Sequence, residues 1–193
     1  MSVETQKTVK PQSATGEKPP KLQKAKVAIL NHRGEILTLR RSEHEDTRRG
    51  EFDWPGGSFE DGVTEPVEVL FDEMDQELPG TRVRFIRRLD RVSKTRAGVK
   101  VVSHLLAATA EFPEDGIVFG PEDAPEHDGA MWVPPSEYSG LLIPNKYKVA
   151  VAAGAPVFQE IVQLIQNDAV LSAQPQFDAM RDRIEPISYS PDS

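Results

Sequence analysis

Pro55-Gly56-Gly57-Ser58-Phe59-Glu60-Asp61-Gly62 leads, two residues later, into Glu65-Pro66-Val67-Glu68-Val69-Leu70-Phe71-Asp72-Glu73-Met74-Asp75-Gln76-Glu77-Leu78-Pro79-Gly80, and the fold turns on this stretch. The first part is a tight glycine turn closed by Gly62. The second predicts a helix from about Glu65 to Leu78. Thr64 is its cap, Pro66 is tolerated in the first turn, and Pro79-Gly80 stops it. Val67, Leu70, Phe71, Met74 and Leu78 recur at steps of three and four and give one apolar face. The other face carries Glu65, Glu68, Asp72, Glu73, Asp75, Gln76 and Glu77. Residues three and four apart are helical neighbours, so Glu73, Gln76 and Glu77 cluster, at a cost of ~0.2–0.5 kcal/mol per like-charged pair. A divalent cation held by hard oxygen ligands reverses that sign, and Mg²⁺ or Mn²⁺ suits such a set. The alternative is a plain solvated acidic face.

Upstream, Val27-Ala28-Ile29-Leu30, the turn Asn31-His32-Arg33-Gly34 and Glu35–Arg41 read as a β-hairpin. A polar stretch then leads to Phe52-Asp53-Trp54, a strand entering the glycine turn. Downstream, Arg82–Val92 and Val99–Ala110 read as strands joined around Lys94–Gly98. Ile117-Val118-Phe119 and Met131-Trp132-Val133 are shorter candidates. Pro156 to about Leu171 predicts a second helix, with Val157, Ile161, Leu164 and Ile165 on its apolar side. Phe177, Met180 and Ile184 have helical spacing in the tail, and Ser188–Ser193 should fray. Strands interspersed with a few helices indicate an α+β or mixed-sheet domain.

The turn and acidic helix resemble the Nudix box, G-x5-E-x7-R-E-U-x-E-E-x-G-U with U apolar. Gly57 matches the first glycine. With one residue inserted early in the helix, Glu73 falls on the Glu of R-E, Met74 on the apolar position and Gln76-Glu77 on the paired acids. Without the insertion Asp72, Asp75 and Gln76 take the acidic positions and Glu73 the apolar one. The gapped version keeps Met74 and Leu78 on the buried side. Departures are Val63 for Glu, Asp72 for Arg, Gln76 for Glu and Pro79 for Gly. Outside the box, Arg40-Arg41 at a strand end, Phe52-x-Trp54 before Pro55, and Glu126-His127 ahead of Trp132-Val133 are similar to family features. The resemblance covers residues about 25–170 and implies an α/β/α sandwich around a mixed β-sheet.

It also implies an activity, Mg²⁺-dependent hydrolysis within the diphosphate of a nucleoside diphosphate derivative, with Mn²⁺ as a second possible ion. Glu73, Glu77 and Glu126 would be catalytic, and the Gly57 carbonyl, Glu73, Gln76 and Glu77 would hold metal. Gln76 offers an oxygen without charge, and Asp72 replaces an arginine that orients the box acids. Arg40 and Arg41 are candidates to clamp phosphate, since guanidinium forks fit phosphate oxygens, but strand alternation sends them to opposite faces. Trp54, with Phe52, either stacks a base or packs the core. Arg48 and Arg49 are further phosphate candidates. His127 is either a proton shuttle or a loop histidine. The rival reading is a catalytically inactive Nudix-like nucleotide-binding or interaction module.

Composition bounds the rest. The chain has 193 residues, 38% hydrophobic and 28% charged, with 23 Lys+Arg against 31 Asp+Glu and a net charge of −8. Residues 1–24 hold five Lys and two Glu, so +3 sits there and −11 on residues 25–193. That basic leader is poor in large apolar residues and is expected to be disordered, with a domain over residues 25–170 and a partly helical extension over residues 171–193. No apolar run approaches the ~18 residues of a membrane span, and no secretory h-region is present. The absence of cysteine removes disulfides and thiolate zinc sites. The histidines lack metal spacing, and no P-loop, Rossmann or serine-hydrolase motif occurs. The expectations are a cytoplasmic protein, a small-molecule partner of nucleoside diphosphate type, a possible homodimer, no membrane, and no strong nucleic-acid signal.

Overall fold

The computed structural model describes residues 21–45, 47–60, 63, 65–121 and 125–174. Thr64, Gly62, most of the basic leader and the tail from Pro175 lie outside those residues, as do the helix expected through Phe177–Ile184 and the fraying end. The described chain runs β1 (Lys21–Ile29), β2 (Ile36–Arg41), β3 (Phe52–Asp53), α1 (Pro66–Glu77), β4 (Arg82–Arg96), β5 (Val99–Glu111) and β6 (His127–Val133). A 3-10 turn (Pro135–Gly140) then leads to α2 (Asn145–Ala153), α3 (Ala155–Gln166) and α4 (Ala169–Ser172). β1 starts at Lys21, four residues ahead of Ala25.

The expected hairpin of β1 and β2 does not form. Among the described residues an isolated Leu30–Ile36 bridge is the only ladder pairing between them, and the two strands enter different sheets. One sheet has the order β1-β5-β4, with β1 parallel and β4 antiparallel to β5. The other has the order β3-β2-β6 and is antiparallel. The reason lies in the side chains. Ala25–Leu30 and Ile36–Leu39 are buried at every position, and so are Leu105–Ala110 of β5. Successive strand residues point to opposite faces, so strands without an exposed face must be covered on both sides. Helices supply the cover: α1 packs on β1 and β4, and α3 on β4 and β5. This is the expected mixed-sheet α+β sandwich.

α1 buries Val69, Leu70 and Met74, with Leu78 at its end, but Phe71, expected on the apolar face, is 46% exposed. The second expected helix breaks at Asn167-Asp168, because the Asp168 carboxylate accepts from the N–H groups of Val170 and Leu171 (3.0 and 3.1 Å) and starts α4 as an N-cap. α2 escapes periodicity because its buried face is only Tyr147, Ala150 and Val151. Ile117–Phe119 form no strand; Gly120 N–H instead donates to the Glu77 carbonyl at the end of α1 (3.1 Å). The β4–β5 turn is tighter than expected, with Ala97 and Gly98 both at positive φ (47° and 78°), the two-residue hairpin geometry that extends both strands. Among the described residues no single helix is long and apolar enough to cross a membrane.

Candidate active site

One face of the β1-β5-β4 sheet is the floor of a large open cleft, about 1160 Å³. Alternation puts Leu22, Lys24 and Lys26 of β1 there. Register sets Leu22 beside Val101 and Lys94, and Lys24 beside Ser103 and Val92. Lys146 of α2 comes down from above, its ammonium donating to Ser103 Oγ (3.0 Å) over the Tyr147 ring. Lys24, Lys94, Arg96 and Lys146 all line the cleft without an ion pair among the described residues. Burial, aided by Lys26, Lys24 and Lys94 and opposed by Asp53, lowers Lys146 to about 8. A chain with net charge −8 thus presents a basic cleft.

The glycine turn closes one end. It lies along the free edge of β1, where Ala25 N–H donates to the Gly57 carbonyl (2.9 Å), Val27 N–H to Pro55 (3.0 Å) and Phe59 N–H to Gln23 (3.0 Å). The Gly57 carbonyl, an expected metal ligand, therefore already accepts one backbone hydrogen bond. Gly56 has φ +117°, and a β-carbon there would clash with the Ala25 carbonyl and lie 3.2 Å from Lys26 Cα. Because the obstruction is backbone, Gly56→Ala is expected to cost ~3 kcal/mol or more, read by chemical denaturation. A β-carbon on Gly57 would instead meet the Glu73 carboxylate, so Glu73 is seated directly against the turn.

Glu77, one helical turn on, is 4% exposed. Its Oε2 accepts the Gly56 N–H (2.8 Å), while its Oε1 is buried without a hydrogen-bond partner. Burial, with Glu126 and Glu73 nearby and Lys26 and the Gly56 N–H opposing, raises Glu77 to about 8. Glu73 is half-buried and also raised, by burial first and then by Glu126 and Glu60, against Lys26 and Lys24. Glu126 precedes β6 and is exposed. His127, next to it, is 1% exposed with neither ring nitrogen hydrogen-bonded. One ligand atom each from Glu77, Glu126 and His127 lie within 4.8 Å of one another. Burial, helped by Lys26 and Arg41 against Asp53 and Asp128, lowers His127 to about 4, so its imidazole is neutral at pH 7.

Beside this cluster sits a second buried carboxylate, Asp53 of β3, 3% exposed. Its Oδ1 accepts from Tyr147 Oη (2.7 Å) and Trp54 N–H (2.8 Å). Its Oδ2 faces Lys26 Nζ (3.8 Å), Arg41 (3.7 Å) and Arg48 (3.4 Å). Burial would raise its pKa, but Lys26, the Tyr147 hydroxyl, Arg48 and the Trp54 N–H outweigh that and hold it at about 2. Lys26 is 7% exposed. Burial alone would lower its pKa, but Asp53, Glu77, Glu126 and Glu73 together raise it.

Of the residues picked from sequence, the structure brings Gly57, Glu73, Glu77, Glu126 and Arg41 to this end of the cleft. Arg41 also pairs with Glu45. Three others fall elsewhere. Gln76 is exposed and does not line the cleft, because it precedes Glu77 by one residue, about 100° around the helix. Arg40 points away and pairs with Asp128 (2.7 Å), as strand alternation requires. Trp54 is 0% exposed, stacked on Tyr147 at 4.4 Å with its Nε1–H donated to Tyr138 (2.9 Å), so it supports the floor and cannot stack a base. Sequence reasoning misses Lys26, Asp53 and Lys146. The first two carry a legible signal, a charge inside an otherwise apolar strand, since such charges are rarely buried without a partner.

No family model matches the chain, and no curated protein matches it in sequence. Solved structures do match in shape. The solution structure of the E. coli ORF135 protein superposes with a TM-score of 0.57 at 17% identity, covering 72% of this chain and 91% of its own. The MutT protein of Methanosarcina mazei Go1 gives 0.56 at 21% identity, covering 75% and 97%. The MutT NUDIX hydrolase of Burkholderia pseudomallei gives 0.53 at 21%, covering 69% and 97%. Sequence identity is low throughout, and what these molecules share with the chain is the path of its backbone over most of its length. The protein has the Nudix fold.

Proposed function

We propose that this protein is a divalent-cation-dependent hydrolase of nucleoside diphosphate derivatives, cutting within the diphosphate. The observation that carries the reading is the grouping of Glu77, one of whose buried carboxylate oxygens has no partner, with Glu126 and His127, at the end of a cleft where Lys24, Lys94, Arg96 and Lys146 make no ion pair among the described residues. A buried carboxylate oxygen without a donor is costly unless something positive meets it. Glu77, Glu126 and His127 would hold the ion, with Glu73 at the Gly57 turn beside them. A bound divalent cation would neutralise phosphate oxygens and acidify a water.

The chain's own groups do the rest. In hydrolysis the water oxygen joins one phosphorus, the bridging P–O bond breaks, and the water's proton must be taken up. Glu126, which is exposed, would accept it through the carboxylate oxygen that does not hold the ion. Lys24 and Lys146 meet the remaining phosphate charge. Arg41 and Arg48 also line the cleft and are held by Asp53, Arg41 being tied further to Glu45 and the Thr47 carbonyl and Arg48 to Glu51. Lys146→Ala should weaken pyrophosphate-type ligands ~10-fold, the loss of one charge-assisted hydrogen bond. Wild-type affinity should likewise fall as pH rises through about 8, where the Lys146 ammonium loses its proton. Calorimetric titration with tripolyphosphate checks both.

A second reading has its own support. Lys26 already brings a buried positive charge beside Glu77, Glu126 and Glu73, as a metal-free nucleotide-binding module would require. The deciding experiment titrates Mg²⁺ and Mn²⁺ against nucleotide sugars, dinucleoside polyphosphates, NADH and nucleoside triphosphates. Metal-dependent turnover that Glu77→Ala abolishes supports the hydrolase. No turnover above that variant, with nucleotide still raising the melting temperature in EDTA, supports the binding module.

A further inference from the structure

We propose that His127 is a direct metal ligand, so that the site takes a mixed nitrogen and oxygen set and prefers a first-row transition ion such as Co²⁺ or Zn²⁺ over Mg²⁺. This rests on the hydrolase reading for the presence of an ion and goes beyond it in naming the ion's class.

The geometry comes first. His127 is the first residue of β6, opposite Arg41 of β2 at a register shift, which fixes its backbone in the sheet while Glu126 is still in the preceding loop. Ser42 N–H donates to the Glu126 carbonyl (2.8 Å) and ties the loop end to the strand. The imidazole is thereby held inside the protein beside Glu77, with both nitrogens buried and without hydrogen-bond partners. Buried imidazoles ordinarily satisfy at least one nitrogen, and most metal-ligating ones use the second to fix the ring. Glu77 also has a buried oxygen without a partner, Oε1, and one oxygen of that carboxylate lies within 4.8 Å of a His127 nitrogen. One ion placed among Glu77, Glu126 and His127 would give the buried Glu77 carboxylate a counter-charge and an orphan imidazole nitrogen a partner together, which no hydrogen bond among the described residues does.

Chemistry then selects the ion. Mg²⁺ favours oxygen ligands and keeps most of its waters. Imidazole shifts preference toward borderline ions, and affinity rises along the series from Mn²⁺ through Co²⁺ to Cu²⁺, with Zn²⁺ also well suited. Glu77 and Glu126 give two carboxylates and His127 one nitrogen, leaving coordination positions for water or phosphate. Lys26, which faces the same carboxylates, restricts how much further positive charge the pocket accepts and favours a single ion.

The test reads the ligand atom directly. The full-length protein loaded with one equivalent of Mn²⁺ should show histidine ¹⁴N modulation in pulsed EPR, replaced by ¹⁵N modulation after ¹⁵N-histidine labelling. His127→Asn should remove the modulation and lower Co²⁺ affinity by ~10-fold or more while changing Mg²⁺ affinity little, since even indirect partners of a metal carry effects of that size. Bound Mn²⁺ without nitrogen modulation in the wild type overturns the proposal, whether or not His127→Asn folds, and leaves the hydrolase reading to the turnover assay. Equal losses of Mg²⁺ and Co²⁺ affinity in His127→Asn also overturn it. Failure to bind any of these ions removes both.

Discussion

Glu77→Gln should make the metal-free protein more stable at pH 9 than the wild type, by several degrees in melting temperature, and should abolish metal-dependent turnover. Glu77 is buried beside two other carboxylates and reaches about 8 in the fold, against an ordinary value of 4.5. The unfolded chain releases this proton first, so between those pH values the native state holds the extra proton and loses stability as pH rises. Below about pH 4.5 both states are protonated and the penalty is absent; above about 8 it is complete. The full penalty is of the order of a few kcal/mol, and each kcal/mol moves the melting temperature by ~2–4 °C in a domain of this size. Glutamine keeps a carbonyl oxygen for the Gly56 N–H and carries no charge to desolvate. Melting curves at pH 4.5 and pH 9 check this: the two proteins should melt nearly together at the lower pH and separate at the higher. A less stable variant at pH 9 would mean that the buried Glu77 charge is already well compensated. Excess Mn²⁺ should reverse the order, stabilising the wild type and not the variant.

Asp53→Ala should do the opposite and do more. The Asp53 carboxylate faces Lys26, Arg41 and Arg48 and accepts from Tyr147 and the Trp54 backbone. Removing it leaves Lys26 buried without its closest counter-charge, and breaking a buried pair from one side costs ~3–5 kcal/mol. Urea denaturation at pH 7 measures that loss. Its pH dependence has the reverse sign from that of Glu77. Asp53 is held at about 2 against an ordinary 3.8, so its contribution is present above about 3.8 and disappears as pH falls through 2. The variant should therefore lose part of the acid-induced unfolding slope of the wild type between those values. A variant as stable as the wild type at pH 7 would contradict the role given to Asp53. The two acids lie in one site and are driven apart: Glu77 upward, first by burial and then by Glu126 and Glu73, and Asp53 downward by its cations and hydrogen-bond donors.

What sequence reading reached, and where it stopped, follows from range. Met74 and Leu78 repeat along α1, and Val157, Ile161 and Ile165 along α3, so local periodicity sufficed for both helices. The Glu73–Glu77 spacing is equally local, and the glycine turn ahead of it told which acids would be gathered. Strand partnership is not local. Val27–Leu30 and Glu35–Arg41 have every mark of a hairpin, yet their sheets part after one bridge because both strands need cover on two faces. Trp54 was decided by Tyr138 and Tyr147, more than 80 residues away, which take its N–H and its ring face. The same holds for Lys26 and Asp53, whose charges look misplaced in apolar strands until β1 and β3 bring them together. Gln76 was lost to helix geometry itself, since a side chain one residue from Glu77 turns through a quarter of the circle.

The central claim is that Glu77 and Glu126, with His127 beside them, hold a divalent cation at the cationic cleft. The most direct measurement is a crystal structure of the protein soaked with Mn²⁺ and a non-hydrolysable nucleoside diphosphate derivative. The account predicts an anomalous peak coordinated by Glu77 Oε1 and Glu126, with the phosphates reaching toward Lys24 and Lys146. A nucleotide bound with no ion, and Lys26 Nζ paired directly to Glu77 in the ion's place, would contradict it.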